Sequence, residues 1–311
     1  MMSRSIHMPL VSIALATYNG ETYLPELLDS LFAQTYANIE VIVVDDISTD
    51  NTLSILENYR ERYANLKVYA NEKNLGYVKN FEKAFSLCSG DFIAPCDQDD
   101  KWLPDKVKRK VEEIGDFPMI YCDSLIGDEQ LQLTGRRVSD AVVCRTYTNC
   151  LNYAVYANVY GHASLFRSSL YRSAPHFPVH IPHDWWLVFN ATLQGGVKYL
   201  PEALIIYRQH PKNLFGIIGG KKKEHHLFDK ERDVKNARAR VTIFYETCPD
   251  SFTKEKKVIG SLKKGYESFS LPNNLLRMLT FFANYKTLLA VRKRNTLRKL
   301  FFCFKMFVKL K

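Results

Sequence analysis

Apolar positions in the first part of the chain follow two alternating periods. Residues 11–15 alternate between large apolar and smaller side chains, which is typical of a half-buried strand, and residues 24–32 carry leucines at helical spacing. The continuous apolar run IEVIVV (39–44) is typical of a strand buried on both faces, and a helical pattern follows it over residues 53–59. The sequence therefore repeats a strand-helix unit.

The repeat continues through a third strand, LKVYAN (66–71), a third helix, YVKNFEKAFSLC (77–88), and a fourth strand, DFIAP (91–95). Such alternation predicts an α/β fold with a mostly parallel sheet flanked by helices, in which ligands bind beyond the carboxyl ends of the strands. The pattern loosens after residue 124. It resumes with a helix expected at 184–193 and a strand expected at 197–207.

The chemical character of the chain changes beyond about residue 215, where Lys-rich helical sequence begins. We expect one α/β domain over residues 1–215, with a nucleotide-binding half at about 10–124 and an acceptor half at about 125–215. Residues 216–311 then form a basic helical region. The net charge of the 311 residues is +10, which suggests an anionic partner such as a nucleotide, a nucleic acid or an acidic lipid surface.

The C-terminal tail, residues 291–311, mixes Leu and Phe with Lys and Arg and has no acidic residue. This composition favours a helix lying in an anionic membrane interface, and the alternative is a helix packed on the main domain. The seven cysteines are scattered without a Cys-x-x-Cys pair, which suits a reducing cytoplasm. Since no cleavage pattern and no run of ~20 apolar residues is present, we expect a cytoplasmic protein on the inner face of the membrane.

The segment CDQDD (96–100) directly follows the fourth predicted strand. Asp97 and Asp99 form an Asp-x-Asp pair, whose hard oxygen ligands suit Mg²⁺ or Mn²⁺ when a diphosphate completes the coordination. The alternative is an exposed loop or the cap of the next helix. The position after a strand of an α/β repeat favours the metal.

Two further strand ends narrow the class of protein. Asp46 ends the second strand, where it either caps the following helix or accepts hydrogen bonds from a base or ribose. The first strand ends in TYNG (17–20), without a Gly-x-Gly-x-x-Gly turn, and no Gly-x-x-x-x-Gly-Lys-Ser/Thr loop occurs anywhere. A nicotinamide dehydrogenase and the common nucleotide triphosphatases are therefore disfavoured.

Four segments in this order, VSIALATYNGETYLPELLDSLFAQTY, IEVIVVDDISTDNT, NEKNLGYVKNFEKA and GDFIAPCDQDDKWLPDKV, resemble the nucleotide-binding half of family 2 glycosyltransferases, which have the GT-A fold. GHASLFR, IPHDWW and YLPEALIIYRQH resemble the acceptor half of bacterial rhamnosyltransferase-like enzymes of polysaccharide biosynthesis. The resemblance covers roughly residues 10–215.

The resemblance implies an inverting reaction, in which an acceptor hydroxyl attacks the anomeric carbon of a nucleotide-activated sugar. It implies that Mn²⁺ or Mg²⁺ is held by Asp97, Asp99 and a later histidine, His210. It also implies that Asp184 is the base that deprotonates the acceptor. The alternative for Asp184 is a helix N-cap, and His183 departs from the acidic residue usual at that position in the family.

The same resemblance assigns substrate contacts. It places Thr17, Tyr18, Asp46 and Asp97 in the nucleotide site, together with Lys79, which stands where many relatives have Arg and lacks its bidentate geometry. Asp100 is expected to orient the donor sugar or the acceptor. Trp185 and Trp186 are candidates for stacking on a sugar ring, and the alternative is that at least one of them is a core residue.

The resulting expectation is a metal-dependent hexosyl- or rhamnosyltransferase. It would move a sugar from a UDP- or dTDP-linked donor, with dTDP-rhamnose as one candidate, to a glycan or lipid-linked acceptor of a bacterial lipopolysaccharide or capsule. A sugar nucleotidyltransferase is an alternative, although TYNGETY lacks the basic Gly-rich phosphate loop it needs. A non-catalytic scaffold or nucleic-acid-binding module is another, although no base-reading motif accompanies the charge.

Overall fold

The computed structural model describes residues 8–174, 176–211, 213 and 230–309. Within them the chain forms nine strands and ten α-helices. The strands are β1 (Val11–Thr17), β2 (Ile39–Asp45), β3 (Leu66–Ala70), β4 (Phe92–Cys96), β5 (Lys101–Trp102), β6 (Met119–Gly127), β7 (Leu133–Arg137), β8 (Ser164–Arg167) and β9 (Val197–Arg208). The helices are α1 (Leu24–Phe32), α2 (Thr52–Arg62), α3 (Tyr77–Ser86), α4 (Lys106–Glu113), α5 (Ser168–Ser173), α6 (His183–Leu193), α7 (Lys230–Thr247), α8 (Thr253–Tyr266), α9 (Leu271–Leu288) and α10 (Thr296–Lys305).

The strands form one sheet in the order β3-β2-β1-β4-β8-β6-β9-β5, and β7 pairs with β6. The pairs β3-β2, β2-β1, β1-β4 and β6-β9 are parallel. The short strand β8 is antiparallel to both of its neighbours, β4 and β6. The predicted α/β fold with parallel strands flanked by helices is confirmed, and the antiparallel β5, β7 and β8 complete the sheet.

Helices cover both faces of this sheet, because alternate side chains of each strand enter two different apolar cores. Val11, Ile13 and Leu15 of β1 pack on one face with the leucines of α1. Ala14 of the same strand lies in the other core with Phe81 of α3. The carboxyl ends of β1, β2 and β4 consequently lie side by side at one edge, as the sequence predicts.

The C-terminal helices share a core with the sheet. Phe244 of α7 stacks at 3.9 Å on Phe189 of α6, and Cys303 and Met306 at the other end of the region are fully buried in the same cluster. The predicted boundary at residues 215–216 and the basic segment up to residue 229 lie outside the described residues. The division into two regions therefore stays a prediction.

No helix in the described part of the chain is both long enough and apolar enough to span a lipid bilayer.

Candidate active site

The acidic segment at the end of β4 gathers two carboxylates around a histidine. Oδ2 of Asp97 and Oδ2 of Asp100 each lie 3.5 Å from Nδ1 of His162, which is buried in the turn before β8. In the part of the chain that the structure describes, these three residues are the one group of His, Cys, Asp and Glu whose ligand atoms lie close enough to share a metal ion. The sequence does not predict this grouping, because β8 joins β4 through long-range antiparallel pairing.

Asp100 is buried completely, and its two oxygens have different surroundings. Oδ1 accepts a hydrogen bond from the backbone N–H of Arg208 at 3.1 Å, whereas Oδ2 is buried with no hydrogen-bond partner. Burial, followed by the charges of Asp99 and Asp97, raises the pKa of Asp100 well above its ordinary value. The buried Asp100 side chain is therefore poorly placed to touch a sugar, which disagrees with the predicted sugar contact.

The side chain of Lys106 in α4 is fully buried next to the backbone of His162. Its ammonium donates a hydrogen bond to the carbonyl of His162 at 2.7 Å and lies 3.2 Å from the centroid of the Trp102 ring. Burial, together with the charge of neighbouring Lys110, lowers its pKa well below the usual value. The ammonium holds the backbone of His162 in place behind the carboxylates.

Asp99 contacts a different histidine. Its Oδ2 lies 2.8 Å from Nε2 of His210 and accepts a hydrogen bond from the Asn213 amide at 3.2 Å. The predicted metal ligands Asp97, Asp99 and His210 thus fall into two subsets, with Asp99 beside His210 and Asp97 beside His162. Asp97 is the most open of the three aspartates, with 40% of its side chain exposed.

Asp184 occupies the first turn of α6 and is held by two backbone donors. Oδ1 accepts from the N–H of Trp185 at 2.7 Å, and Oδ2 accepts from the N–H of Gly161 at 3.2 Å. Burial raises the pKa of Asp184, and the negative charge of Asp97 adds to this effect, while His183 and the two N–H groups oppose it. A carboxylate with a raised pKa is a stronger proton acceptor.

His183 packs beside Asp184 in an aromatic pocket. Its ring stacks at 4.0 Å on Phe81, and neither ring nitrogen has a hydrogen-bond partner. Burial lowers the pKa of His183, which favours the neutral imidazole. A Cβ added to Gly161 would lie 2.6 Å from Nε2 of His183, so the absence of a side chain at Gly161 permits this packing.

The loop after β1 is tied to the acidic segment by Gln98. The backbone N–H of Tyr18 donates to Oε1 of Gln98 at 2.8 Å, and Nε2 of Gln98 donates to the Tyr18 carbonyl at 3.0 Å. The Tyr18 side chain is 50% exposed and available to a ligand. The two strand ends that are expected to hold the nucleotide and the metal are thereby fixed relative to each other.

Thr17 and Asp46 are both engaged with protein groups. The Thr17 hydroxyl is buried and donates to Oδ1 of Asp45 at 2.8 Å. Asp46 accepts hydrogen bonds from the backbone N–H groups of Leu75 and Gly76 at 2.8 and 2.9 Å. Asp46 therefore positions the loop before α3. Its role in nucleotide binding stays a prediction.

Lys79 of α3 is also engaged. Its ammonium lies 2.5 Å from Oε2 of Glu82 and donates to the carbonyl of Phe177 at 2.8 Å. About a third of the side chain is exposed. Its predicted contact with the nucleotide is untested.

The two tryptophans of α6 have different environments. Trp186 is 1% exposed and stacks parallel to Phe244, so it is a core residue and its predicted contact with a sugar does not fit this burial. Trp185 is partly buried, donates from Nε1 to the Tyr153 carbonyl at 2.6 Å, and has the Arg240 guanidinium over its ring at 4.2 Å. Its role as a sugar contact stays a prediction.

Arg208 at the end of β9 is a site residue that the sequence reasoning missed. It is buried, and its guanidinium donates to the Asp99 carbonyl at 2.7 Å and to Oε2 of Glu26 at 2.8 Å, while lying over the Tyr23 ring. The signal in the sequence is the position of Arg208 in YRQH, at the end of a predicted strand, because an arginine that is buried there needs anionic or carbonyl partners. Arg208 fixes β9 against the acidic segment.

The sheet order and the carboxylates at its parallel strand ends define a fold of the GT-A class, and solved structures agree. TarS of Staphylococcus aureus in complex with UDP-GlcNAc superposes with a TM-score of 0.62 at 21% identity, over 90% of this chain and 81% of that one. The mannosyltransferase PcManGT of Pyrobaculum calidifontis in complex with GDP-Man and Mn²⁺ gives 0.58 at 17% identity, over 98% and 86%.

Sequence comparison identifies the family. The pattern described as Glycosyl transferase family 2 matches residues 12–173, more than half of the chain, and the protein belongs to this family. An uncharacterized protein of Mycobacterium tuberculosis is 30% identical over 224 residues, which are 66% of this chain and 60% of that protein. TuaG of Bacillus subtilis, named for teichuronic acid biosynthesis, is 36% identical over 104 residues, which are 33% and 41%.

The matches cover the relatives and the candidate site only in part. The chain spans about 60% of the length of the mycobacterial relative, and Asp184 and His210 lie beyond the family match that ends at residue 173. The roles of both residues therefore stay predictions that the family match does not cover.

Proposed function

We propose that the protein is an inverting glycosyltransferase that moves a sugar from a nucleoside-diphosphate sugar to a glycan or lipid-linked acceptor of a bacterial surface polysaccharide. The observation that carries the proposal is the position of Asp184. This partly buried carboxylate has a raised pKa and lies close enough to Asp97 for their charges to interact. One site thus combines a proton acceptor with the carboxylates expected to face the leaving diphosphate.

Asp184 acts as the general base in this proposal. The N–H groups of Trp185 and Gly161 orient its oxygens. Burial, followed by the negative charge of Asp184, raises the pKa of Tyr77 and Tyr160 to about 12. Neither tyrosine competes for the proton near neutral pH, because each remains protonated. Asp184 can then accept the proton of the attacking hydroxyl.

A divalent cation, Mn²⁺ or Mg²⁺, fits the oxygen-rich donor set at the end of β4. We assign it to Asp97, Asp99 and His210, the ligands that the family resemblance implies, and the group of Asp97, Asp100 and His162 is the second arrangement that the donor atoms allow. Asp97 belongs to both groups and has 40% of its side chain exposed, whereas the side chains of Asp99 and His210 are 17% and 6% exposed. When bound, the cation neutralises charge on the leaving diphosphate. In this assignment His162 contacts Asp97 and Asp100 from the buried side of the site.

Tyr18 and Asp46 mark the nucleotide end of the site. Tyr18 offers an exposed ring at the end of β1 for a base, with Thr17 buried beneath it, and Asp46 shapes the loop that leads to Lys79. Trp185 remains the candidate sugar contact on the acceptor side. We propose a UDP- or dTDP-linked donor, with dTDP-rhamnose among the candidates. UDP-GlcNAc in TarS and GDP-Man in PcManGT show that relatives in fold bind nucleotide sugars.

The test incubates the full chain and its Asp184→Asn variant with Mn²⁺ or Mg²⁺ and a panel of UDP-, dTDP- and GDP-sugars. We expect one donor to bind and to be hydrolysed slowly. In Asp184→Asn the hydrolysis falls by about 10²- to 10⁴-fold, which is the usual contribution of a general base, while the donor Kd changes less than about twofold. Asp116→Asn is the matched control, because it makes the same change at an exposed carboxylate on the surface.

Two results would contradict the proposal. If no nucleotide sugar or diphosphate binds in the presence of either metal, the protein is not a transferase of this kind. If Asp184→Asn loses donor affinity and hydrolysis together, Asp184 is a structural residue of the donor site and not the base.

A further inference from the structure

Exposed apolar side chains on α9 and α10 form one continuous surface. Each is between 44% and 69% exposed, and the spacings of three and four residues place them on one side of each helix. Phe304 packs edge-on at 4.6 Å against Phe282, which joins the two stripes. We call this surface the C-terminal ridge, and it consists of Leu271, Leu275, Leu279, Leu297, Phe301 and Phe304.

The ridge is exposed because the opposite side of α10 is already used in packing. Cys303 and Met306 are fully buried, and the Arg277 guanidinium donates to the carbonyls of Met306 and Phe307 at 2.6 and 3.1 Å. α10 is therefore fixed on α9 and cannot turn its apolar side inward without breaking these contacts.

All of the net charge of the protein lies in the same part of the chain. Residues 1–267 contain 33 basic and 33 acidic residues, whereas residues 268–311 contain ten basic residues and no acidic one. Exposed Arg298 and Lys305 directly follow the ridge residues Leu297 and Phe304. An apolar strip bordered by Lys and Arg is the arrangement of a helix that lies in an anionic lipid interface.

A basic cleft lies where α9 ends and α10 begins, next to Leu297. It has a volume of about 240 Å³, and its charged lining residues are Arg145, Lys286, Arg294 and Lys299. No carboxylate lines it, and none of its four cations forms an ion pair within the described ranges of the chain. Burial and the charge of Arg145 lower the pKa of Lys299, as expected where cations gather without an anion.

We propose that the C-terminal ridge and the basic cleft together bind the surface of an anionic lipid bilayer. The cleft receives a lipid headgroup phosphate, and the ridge inserts Leu and Phe side chains at the boundary with the acyl chains. Apart from Arg145, the named residues of the ridge and the cleft belong to the segment that follows α6, and none of them is among the residues assigned to sugar transfer.

Charge distinguishes the bilayer from a second copy of the chain. A symmetric dimer through the ridge would bring together two copies of a segment, residues 268–311, that has ten basic residues and no Asp or Glu, with Arg298 and Lys305 exposed beside the ridge. An anionic bilayer neutralises the same charges and covers the apolar side chains, so it satisfies both features at once.

The test measures co-sedimentation of the full chain with phosphatidylcholine vesicles, with and without about one third phosphatidylglycerol. We expect binding to the anionic vesicles that weakens with salt. Arg294→Gln/Lys299→Gln is expected to lower the partition coefficient by roughly 30-fold, because each basic residue near the surface contributes about fivefold. Leu297→Gln/Phe301→Gln is expected to lower it at least about tenfold.

The controls carry the same chemical changes elsewhere. Lys108→Gln/Arg136→Gln removes two exposed charges, and Met8→Gln/Leu133→Gln removes two exposed apolar side chains, in both cases outside the C-terminal helices. Donor binding, measured on the same preparations, shows that each variant is folded and separates this proposal from the proposed function.

Four results would overturn the proposal. The first is no binding to anionic vesicles by a protein that binds its donor. The second is an equal loss of binding in the variants and in their controls. The third is concentration-dependent dimerisation that Leu297→Gln/Phe301→Gln abolishes, which would make the ridge a contact between copies. Loss of vesicle binding in excess inorganic phosphate, with retained binding in matched chloride, would assign the cleft to free phosphate and also contradict the proposal.

Discussion

Gly161→Ala places one methyl group between the two residues that begin α6. The new Cβ would lie 2.6 Å from Nε2 of His183, about 0.8 Å inside an ordinary contact. The backbone N–H of Gly161 also donates a hydrogen bond to Asp184 at 3.2 Å. His183 is packed against Phe81, so the displacement passes to the Asp184 carboxylate. Since a misplacement of about 1 Å can cost roughly 10²-fold in rate, we expect turnover to fall about 10- to 100-fold.

The assay compares metal-dependent hydrolysis of the preferred nucleotide sugar, donor Kd and thermal unfolding. Donor Kd is expected to change less than about threefold, and overpacking is expected to lower the free energy of unfolding by about 1–3 kcal/mol. Gly260→Ala is the matched control, since its Cβ would meet only the ring edge of Tyr245 at 3.0 Å within α8. Wild-type turnover in a folded Gly161→Ala protein would refute the argument that Gly161 sets the position of Asp184.

Two further predictions concern the metal and the stability of the sheet. His210→Ala is expected to weaken Mn²⁺ binding in the presence of nucleoside diphosphate at least about tenfold, and His162→Ala, which removes a partner of the Asp97 carboxylate, by a smaller factor; the reverse order in a metal titration would move the cation to the buried group. Glu40 accepts hydrogen bonds from Ser12, Ser89 and Lys67, which against the effect of burial lower its pKa to about 2. Because the pKa is depressed on folding, this stabilisation is complete above pH ~4.5 and is lost as pH falls towards ~2. Glu40→Gln is therefore expected to lower the free energy of unfolding by about 2 kcal/mol at pH 7, after allowance for the half-exposed Lys67, and by less at pH ~3.5 in urea titrations. An effect independent of pH would show that the charge of Glu40 does not contribute.

The first four strands and the helices between them could be predicted because each is specified by its own apolar pattern. Buried strands such as β2 are apolar on both faces, and α1 carries leucines at helical spacing. The parallel arrangement then brings the strand ends together without any further information. The placement of Asp97 and Tyr18 at one edge of the sheet follows from this local information.

Other parts of the site depend on contacts between distant residues, which periodicity does not encode. His162 reaches Asp97 only because β8 inserts antiparallel between β4 and β6. Lys106 and Lys110 are polar residues of a short charged helix and would be expected at the surface. Both are buried, because Trp102 and the carbonyls of residues 162–164 provide cation–π contacts and hydrogen bonds. The burial of Trp186 also depends on a contact with a distant part of the chain, because α7 covers it.

The stacking of Phe244 on Phe189 has a consequence for how this family can be recombined. Helix α6 carries Asp184, the proposed base, near its first residue and packs on α7 in the middle, so α7 supports the position of this helix. In a chimera joined near residue 215, α6 would pack against a helix from another protein in place of α7. Exchange of acceptor specificity by swapping C-terminal segments therefore requires that the aromatic pair be transplanted together with the helices on both sides of it.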